Sequence, residues 1–242
     1  MNILLKGDCL DIMHDIPAQS IDMILCDLPY GTTQCHWDTV IPFDQLWAHY
    51  NRLTKPKAPI ALFGAEPFSS ALRLSNLKNY KYDWIWEKPK ATGFLNAKKQ
   101  PMRCHEIISV FYRKQCLYNP QKTFGHNNSK SFTPKAFRTD VYNKLTKDNY
   151  YESTERYPRS IQVFITDNQN SSLHPTQKPV ALFEYLIRTY TNPGDTVLDN
   201  CAGSGTTAIA CINTGRKYIC IEKGDKEFDI MENRVNKYLE DI

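Results

Sequence analysis

TVLDNCAGSGTTAIA, residues 196–210, decides the fold. An apolar run, Thr196–Leu198, ends at Asp199, a short loop follows, and Thr206 opens a stretch with helical spacing. Gly203-Ser204-Gly205-Thr206-Thr207-Ala208 fits G-x-G-x-x-A, in which glycines let the backbone turn sharply and approach a ligand closely. The loop amides and the helix N-terminus favour an anionic group. Tyr218–Glu222 is the next β-like run, and Glu222, 19 residues after Gly203, is placed to accept two ribose hydroxyls. A glycine turn without a ligand would carry the loop alone. Strand, loop, helix and acid-tipped second strand together predict a nucleotide site.

The surrounding sequence says which kind of nucleotide fold this is. Only Lys223–Ile242 follows Glu222, room for one helix, so the remaining strands must come from the N-terminal half. That permuted order argues against a standard dehydrogenase, and no G-K-[ST] follows the glycines. Strands are predicted at Ile3–Lys6, Asp22–Cys26, Ile60–Phe63, Tyr80–Glu87, Glu106–Tyr112 and Ile161–Ile165. Helices are predicted at Cys9–Ile16, Phe43–Leu53, Pro67–Leu77, Pro179–Tyr190, Thr206–Asn213 and Lys226–Leu239. The alternation predicts an α/β fold with a mostly parallel sheet and helices on both faces. Residues 115–160 show no steady period and read as an insertion within one domain of 1–242.

DMILCDLPYG, residues 22–31, is the second signal. A buried strand runs into Asp27-Leu28-Pro29-Tyr30, and ligands of parallel sheets bind where strands end at their carboxyl edge. Asp27 and Asp199 are therefore expected to face one crevice. Asp27 can accept a hydrogen bond from an amino group, Pro29 stiffens the turn, the Leu28 carbonyl is a second acceptor, and Tyr30 offers an aromatic face. Such a pocket suits an exocyclic amine on a flat ring. Alone, the motif also fits a strand-ending turn with a half-buried Tyr.

Composition bounds the partners. With 41% hydrophobic and 23% charged residues the chain is globular rather than disordered. No apolar run is long enough to span a membrane, and the N-terminus lacks a secretory layout, so a cytoplasmic location is expected. The eight cysteines include no C-x-x-C pair, which predicts reduced core thiols and no metal site. Residues 113–172 hold ten Lys and Arg against five Asp and Glu, so more than the whole net charge of +4 sits there. Interleaved Tyr, Phe and Asn suit a polyanion with bases to read, although a solvated insertion would share the composition.

Together these motifs resemble the β-class amino-group DNA methyltransferases. Asp27–Tyr30 is similar to their D-P-P-Y motif, and Asp199–Thr207 to their D-P-F-x-G-S-G-T loop for S-adenosylmethionine. His174-Pro175-Thr176-Gln177-Lys178-Pro179 and Gly7-Asp8-Cys9 match further segments of that class, in the same order. Phe63-Gly64, Glu66-Pro67 and His105-Glu106 have family-like surroundings, the last pair with a structural rather than catalytic expectation.

The resemblance implies a Rossmann-like class I methyltransferase fold with permuted motif order and a target-recognition region at 115–160. It implies that Asp27 and the Leu28 carbonyl hold the target amine, with Asp27 also bordering the cofactor, and that Tyr30 stacks on the base. For S-adenosylmethionine it implies the loop Asp199, Asn200, Cys201, Ala202, Gly203, Ser204, Gly205 and Thr206 at the methionine part. Glu222 would bind the ribose, Asp8 and Cys9 would border the adenine ring, and Thr176 and Lys178 would lie near the methionine carboxylate. Asn127, Asn128, Arg138, Lys144 and Arg156 are the candidate contacts to double-stranded DNA. Relatives supply a cognate restriction endonuclease and a homodimer as further partners to expect. Leu28 replaces the usual Pro, and Asn200-Cys201 replaces Pro-Phe.

The reaction implied is direct transfer to an amine on a flipped-out base, without a nucleophilic cysteine. Family members with Asp at the first motif position act mostly on adenine and those with Ser on cytosine, so Asp27 favours the adenine 6-amino group over the cytosine 4-amino group. Methylation of RNA or of a protein amide, a silent nucleic-acid-binding module, and an NAD-dependent oxidoreductase are the rival readings.

Overall fold

The computed structural model describes residues 2–32, 38–135, 147–165 and 177–242. The N-terminal part forms β1 (Ile3–Lys6), α1 (Cys9–Asp15), β2 (Met23–Cys26), α2 (Phe43–Leu53), β3 (Ile60–Gly64) and α3 (Phe68–Ser75). The middle contributes β4 (Tyr80–Thr92), β5 (Arg103–Phe111), β6 (Ser129–Thr133), β7 (Asn149–Ser153) and β8 (Ile161–Val163). The C-terminal part forms α4 (Val180–Tyr190), β9 (Thr196–Asp199), α5 (Thr206–Thr214), β10 (Lys217–Glu222) and α6 (Asp225–Glu240).

Eight strands make one sheet in the order β1-β10-β9-β2-β3-β5-β4-β8. From β1 to β3 every pairing is parallel. β5 runs antiparallel to both β3 and β4, and β8 is parallel to β4. The sheet is thus mixed on one side and parallel through the half that carries both motifs. β9 and β2, far apart in sequence, lie side by side with Ile24 opposite Leu198.

The central strands are short apolar runs because both faces are covered. Their side chains alternate between two cores, as the period of two requires. Met23, Leu25, Phe63 and Val197 pack with Leu186 of α4, Ile209 of α5 and Met231 of α6. Ile24, Cys26, Leu62 and Leu198 pack with Met13 of α1, Tyr50 of α2 and Leu72 of α3. Each fully buried Leu or Ile contributes about 1.5–3 kcal/mol relative to exposure. No helix among the described residues is long and apolar enough to cross a membrane.

The chain divides into one unit of residues 1–119 and 160–242 and another of residues 120–159. Besides shifts of a few residues at element ends, such as β5 starting at Arg103 and β8 stopping at Val163, two outcomes differ from the sequence expectation. β4 continues to Thr92 instead of stopping at Glu87, through a register shift that ends with Thr92 opposite Arg103. Lys and Pro are poor strand formers, so this extension is not set by local preference. Within the second unit, where no period is legible, β6 and β7 pair antiparallel, with Ser131 opposite Tyr151. Both strands are mostly exposed, so neither shows the alternation that marks a half-buried strand.

Candidate active site

Asp27 follows the carboxyl end of β2, one strand away from Asp199 at the end of β9. Its carboxylate is held at both oxygens. The Tyr30 hydroxyl donates to Oδ1 at 2.6 Å, and Lys178 Nζ lies 2.7 Å from Oδ2. Lys178 also lies 3.0 Å from Glu106 Oε2, and Lys88 Nζ lies 3.3 Å from Glu106 Oε1. Asp27 keeps 29% of its side chain exposed while Lys178 keeps 11%, so Asp27 is the member a ligand can reach.

The charges explain the titration of the cluster. Burial pushes the Asp27 carboxyl up, and the pull of Lys178 does not fully offset it. Burial also pushes Glu106 up, but Lys178 and Lys88 together hold it below the ordinary range. Burial disfavours the Lys178 cation, yet two carboxylates outweigh that and keep it charged. Glu106 has two cations and Asp27 only a share of one, so Asp27 is the more basic carboxylate.

The loop after β2 is fixed from several sides. Leu28, where the resemblance has Pro, is 4% exposed and anchored in the core beneath β2. Tyr30 stacks on Phe68 of α3 with ring centroids 5.1 Å apart. The backbone amides of Gly31 and Thr32 donate to the Asp38 carboxylate at 2.8 and 2.9 Å.

The glycine loop lies at the same edge of the sheet. Gly203 has φ +51°, and a Cβ there would meet nothing within 4 Å. Gly205 has φ +79°, but a Cβ there would lie 2.8 Å from Met231 Cγ. The first glycine therefore borders open space and the second lets α6 pack closely. Glu222 accepts from the Gly203 amide at Oε2 and the Gly224 amide at Oε1, both at 2.8 Å. A carboxylate has about four acceptor sites, which leaves two for vicinal hydroxyls. Asp199 is 3% exposed and accepts from the Cys201 amide at 3.1 Å and from the Thr207 hydroxyl. Burial pushes its carboxyl up to about 7.

The remaining loop positions are held by bonds within the chain. Asn200 is buried, accepts from the Tyr50 hydroxyl at 2.5 Å and reaches the thiols of Cys9 and Cys201. Bonding to Cys201 and burial raise Cys9, burial raises Cys26 to about 12, and bonding to Cys26 and burial raise Cys201. The trio stays in the thiol form. Arg234 of α6 donates to Ser204 and to the Thr206 hydroxyl, and the Ala202 amide donates to Ile221. Asp8 caps α1 through the Leu10 amide at 2.9 Å and pairs with Lys223 at 2.9 Å.

Residues beyond this edge fare differently. Thr176, Arg138 and Lys144 lie outside the described residues. In the second unit, Arg156 donates to the carbonyls of Ser153, Glu155 and Asn127, so its guanidinium braces its own unit. Asn128 donates to Glu152 at 2.8 Å, and Asn127 is exposed. Among the described residues no group of His, Cys, Asp and Glu could hold a metal ion. Glu106 and Lys88 are the residues that sequence reasoning undervalued. The available signal was an acid entering the apolar run Ile107–Phe111, where an unpaired charge would be costly.

A family model described as DNA methylase, of the N6/N4 type, matches residues 21–233. The chain is 26% identical to the type II methyltransferase M.HinfI of Haemophilus influenzae, over 98% of this chain and 69% of that protein. Its fold is similar to a crystal structure of an M1.HpyAVI–SAM complex, with TM-score 0.67 and 24% identity over 98% of this chain and 100% of that one. It is also similar to the cytosine-N4-specific PvuII DNA methyltransferase, with TM-score 0.69 and 17% identity over 96% and 86% of the two chains.

Proposed function

The chain belongs to the N6/N4 DNA methylase family, and on that premise we propose that it transfers the methyl group of S-adenosylmethionine to the 6-amino group of adenine in double-stranded DNA. The observation that carries the reading is Asp27, a reachable carboxylate clamped by Tyr30 and Lys178 beside the glycine loop.

The open space at Gly203, the two free acceptor positions on Glu222 and the buried carboxylate of Asp199 fit a nucleoside that carries an ammonium group. Gly203 would let the loop approach the methionine part, Asp199 would face its ammonium, and Glu222 would take the ribose hydroxyls. Asp8 and Cys9, at the end of the neighbouring strand β1, would border the adenine ring. When bound, S-adenosylmethionine supplies a methyl group activated by its positive sulfur.

The chain's own groups do the rest. An adenine amine is a poor nucleophile because its lone pair is delocalised into the ring. Asp27 accepts one N–H and the Leu28 carbonyl the other, which favours a pyramidal nitrogen and frees the lone pair. This is positioning plus preorganised electrostatics. Lys178 and Tyr30 fix the direction of the Asp27 oxygens, and Glu106 fixes Lys178. Lys178 thus acts on Asp27. Asp27 then takes the amine proton, for which its raised basicity suits it better than an ordinary carboxylate. Tyr30, backed by Phe68, offers a ring edge and face to the flipped base. A cytoplasmic setting, a matching endonuclease and a homodimer remain the corresponding expectations for its surroundings.

The test is to incubate the protein with unmethylated duplex DNA and labelled S-adenosylmethionine, digest the DNA and identify the methylated nucleoside by mass spectrometry. N6-methyladenine is expected. The N4-methylcytosine product would keep the mechanism and replace the base.

A further inference from the structure

The hairpin between β4 and β5 runs on past the sheet. From Lys88 to Arg103 it carries Lys88, Lys90, Lys98, Lys99 and Arg103 and no acid. From Pro89 to His105 every residue is exposed. Its tip is a 3₁₀ turn, Phe94–Asn96, on which Phe94 is 75% and Leu95 84% exposed. Single exposed apolar residues are ordinary, but two adjacent large ones at the end of an all-cationic arm call for a partner that is both polyanionic and apolar inside.

The root of the arm ties it to the catalytic cluster. Lys88 reaches Glu106, which reaches Lys178, which reaches Asp27, at 3.3, 3.0 and 2.7 Å. Arg103 donates to the Glu66 carbonyl at 3.2 Å, and Thr92 to the Arg103 carbonyl at 3.3 Å, which bracket the root. The six residue steps from Lys88 to Phe94 reach at most about 20 Å. That exceeds the roughly 8 Å depth of either duplex groove.

We propose that this hairpin is a DNA wedge: its exposed Lys90, Lys98 and Lys99 side chains sit on phosphates while Phe94 and Leu95 enter the base stack beside the nucleotide drawn towards Asp27. The proposal rests on the DNA reading above. Apolar wedges of this kind offset part of the cost of unstacking a base. A second copy of the chain would fit the arm poorly, because two arms of the same sign would repel. An anionic lipid surface would match the charge but not the link to the Asp27 carboxylate.

Two variants test it, both at exposed positions. Phe94→Trp adds a fluorophore at the tip, and its emission above that of the wild type is quenched by acrylamide. Saturating duplex DNA, with binding followed by anisotropy, is expected to shield it. Lys98→Ala with Lys99→Ala is expected to lower the slope of log K against log salt by about 1.8, two phosphates at ~0.9 each. A tip that stays quenchable while DNA is bound overturns the wedge, as does an unchanged slope. Shielding by protein concentration alone, without DNA, overturns it in favour of a second copy. Equal shielding by phosphatidylserine vesicles and not by DNA overturns it in favour of a lipid surface. If the wild-type protein binds no duplex at all, the DNA reading itself falls, and the wedge with it.

Discussion

Alanine at Gly203 and alanine at Gly205 separate two demands made on one loop. Both glycines have positive φ, so each substitution costs about 1 kcal/mol in backbone strain. At Gly203 the new Cβ meets no atom of the protein, and the strain is the whole cost. At Gly205 it would lie 2.8 Å from Met231 Cγ and 3.4 Å from Val235 Cγ2. Met231 is fully buried, so overpacking adds about 2 kcal/mol. With about 2–4 °C per kcal/mol for a domain of this size, Gly203→Ala should lower Tm by about 2–4 °C and Gly205→Ala by about 6–12 °C. Ligand binding should rank the other way. The Gly203 Cβ enters the space assigned to S-adenosylmethionine, and at least a tenfold loss of affinity is expected, about 1.4 kcal/mol. Thermal denaturation and titration calorimetry on the two variants give both readings. Unchanged affinity in Gly203→Ala would refute the placement of the ligand, and equal Tm losses would refute the division of labour.

Three further outcomes follow from the charges. Lys178→Met removes the cation shared by Asp27 and Glu106, so Asp27 should ionise only at higher pH. The acid limb of the pH–rate profile should move up, and an unmoved limb would sink the positioning role; Glu106→Gln in the same background relieves the leftover charge if the single variant folds poorly. Asp199 holds its proton in the folded chain up to about 7 against 3.8 for an ordinary Asp, so stability falls as pH rises through that window. Asp199→Asn should flatten that slope, and S-adenosylmethionine binding below about pH 7 should release a proton, read from calorimetry in buffers of different ionisation enthalpy. Arg156→Ala should loosen the unit of residues 120–159, with faster amide exchange at Thr123 and Arg156, whose backbones pair there; unchanged exchange would free its guanidinium for DNA.

The sequence alone determined the elements that carry the two motifs. Phe43–Leu53 and Thr196–Asp199 form as the apolar spacing requires, and Gly203 and Gly205 both take the backbone conformation that only glycine adopts freely. These features are local: a period of two or 3.6, a glycine, an acid at a strand end. Tertiary structure decided what depends on residues far apart in the chain. It set Asp27 beside Asp199 by pairing β2 with β9, and it gathered Lys178, Glu106 and Lys88 from three separate stretches of the chain into one cluster with Asp27. It also carried β4 past Glu87 through Lys88 and Pro89, which have little strand preference, to Thr92 opposite Arg103. No window of sequence contains those partners. The charge on Asp27 is set by burial and by a lysine 151 residues away, and both exist only once the chain has folded.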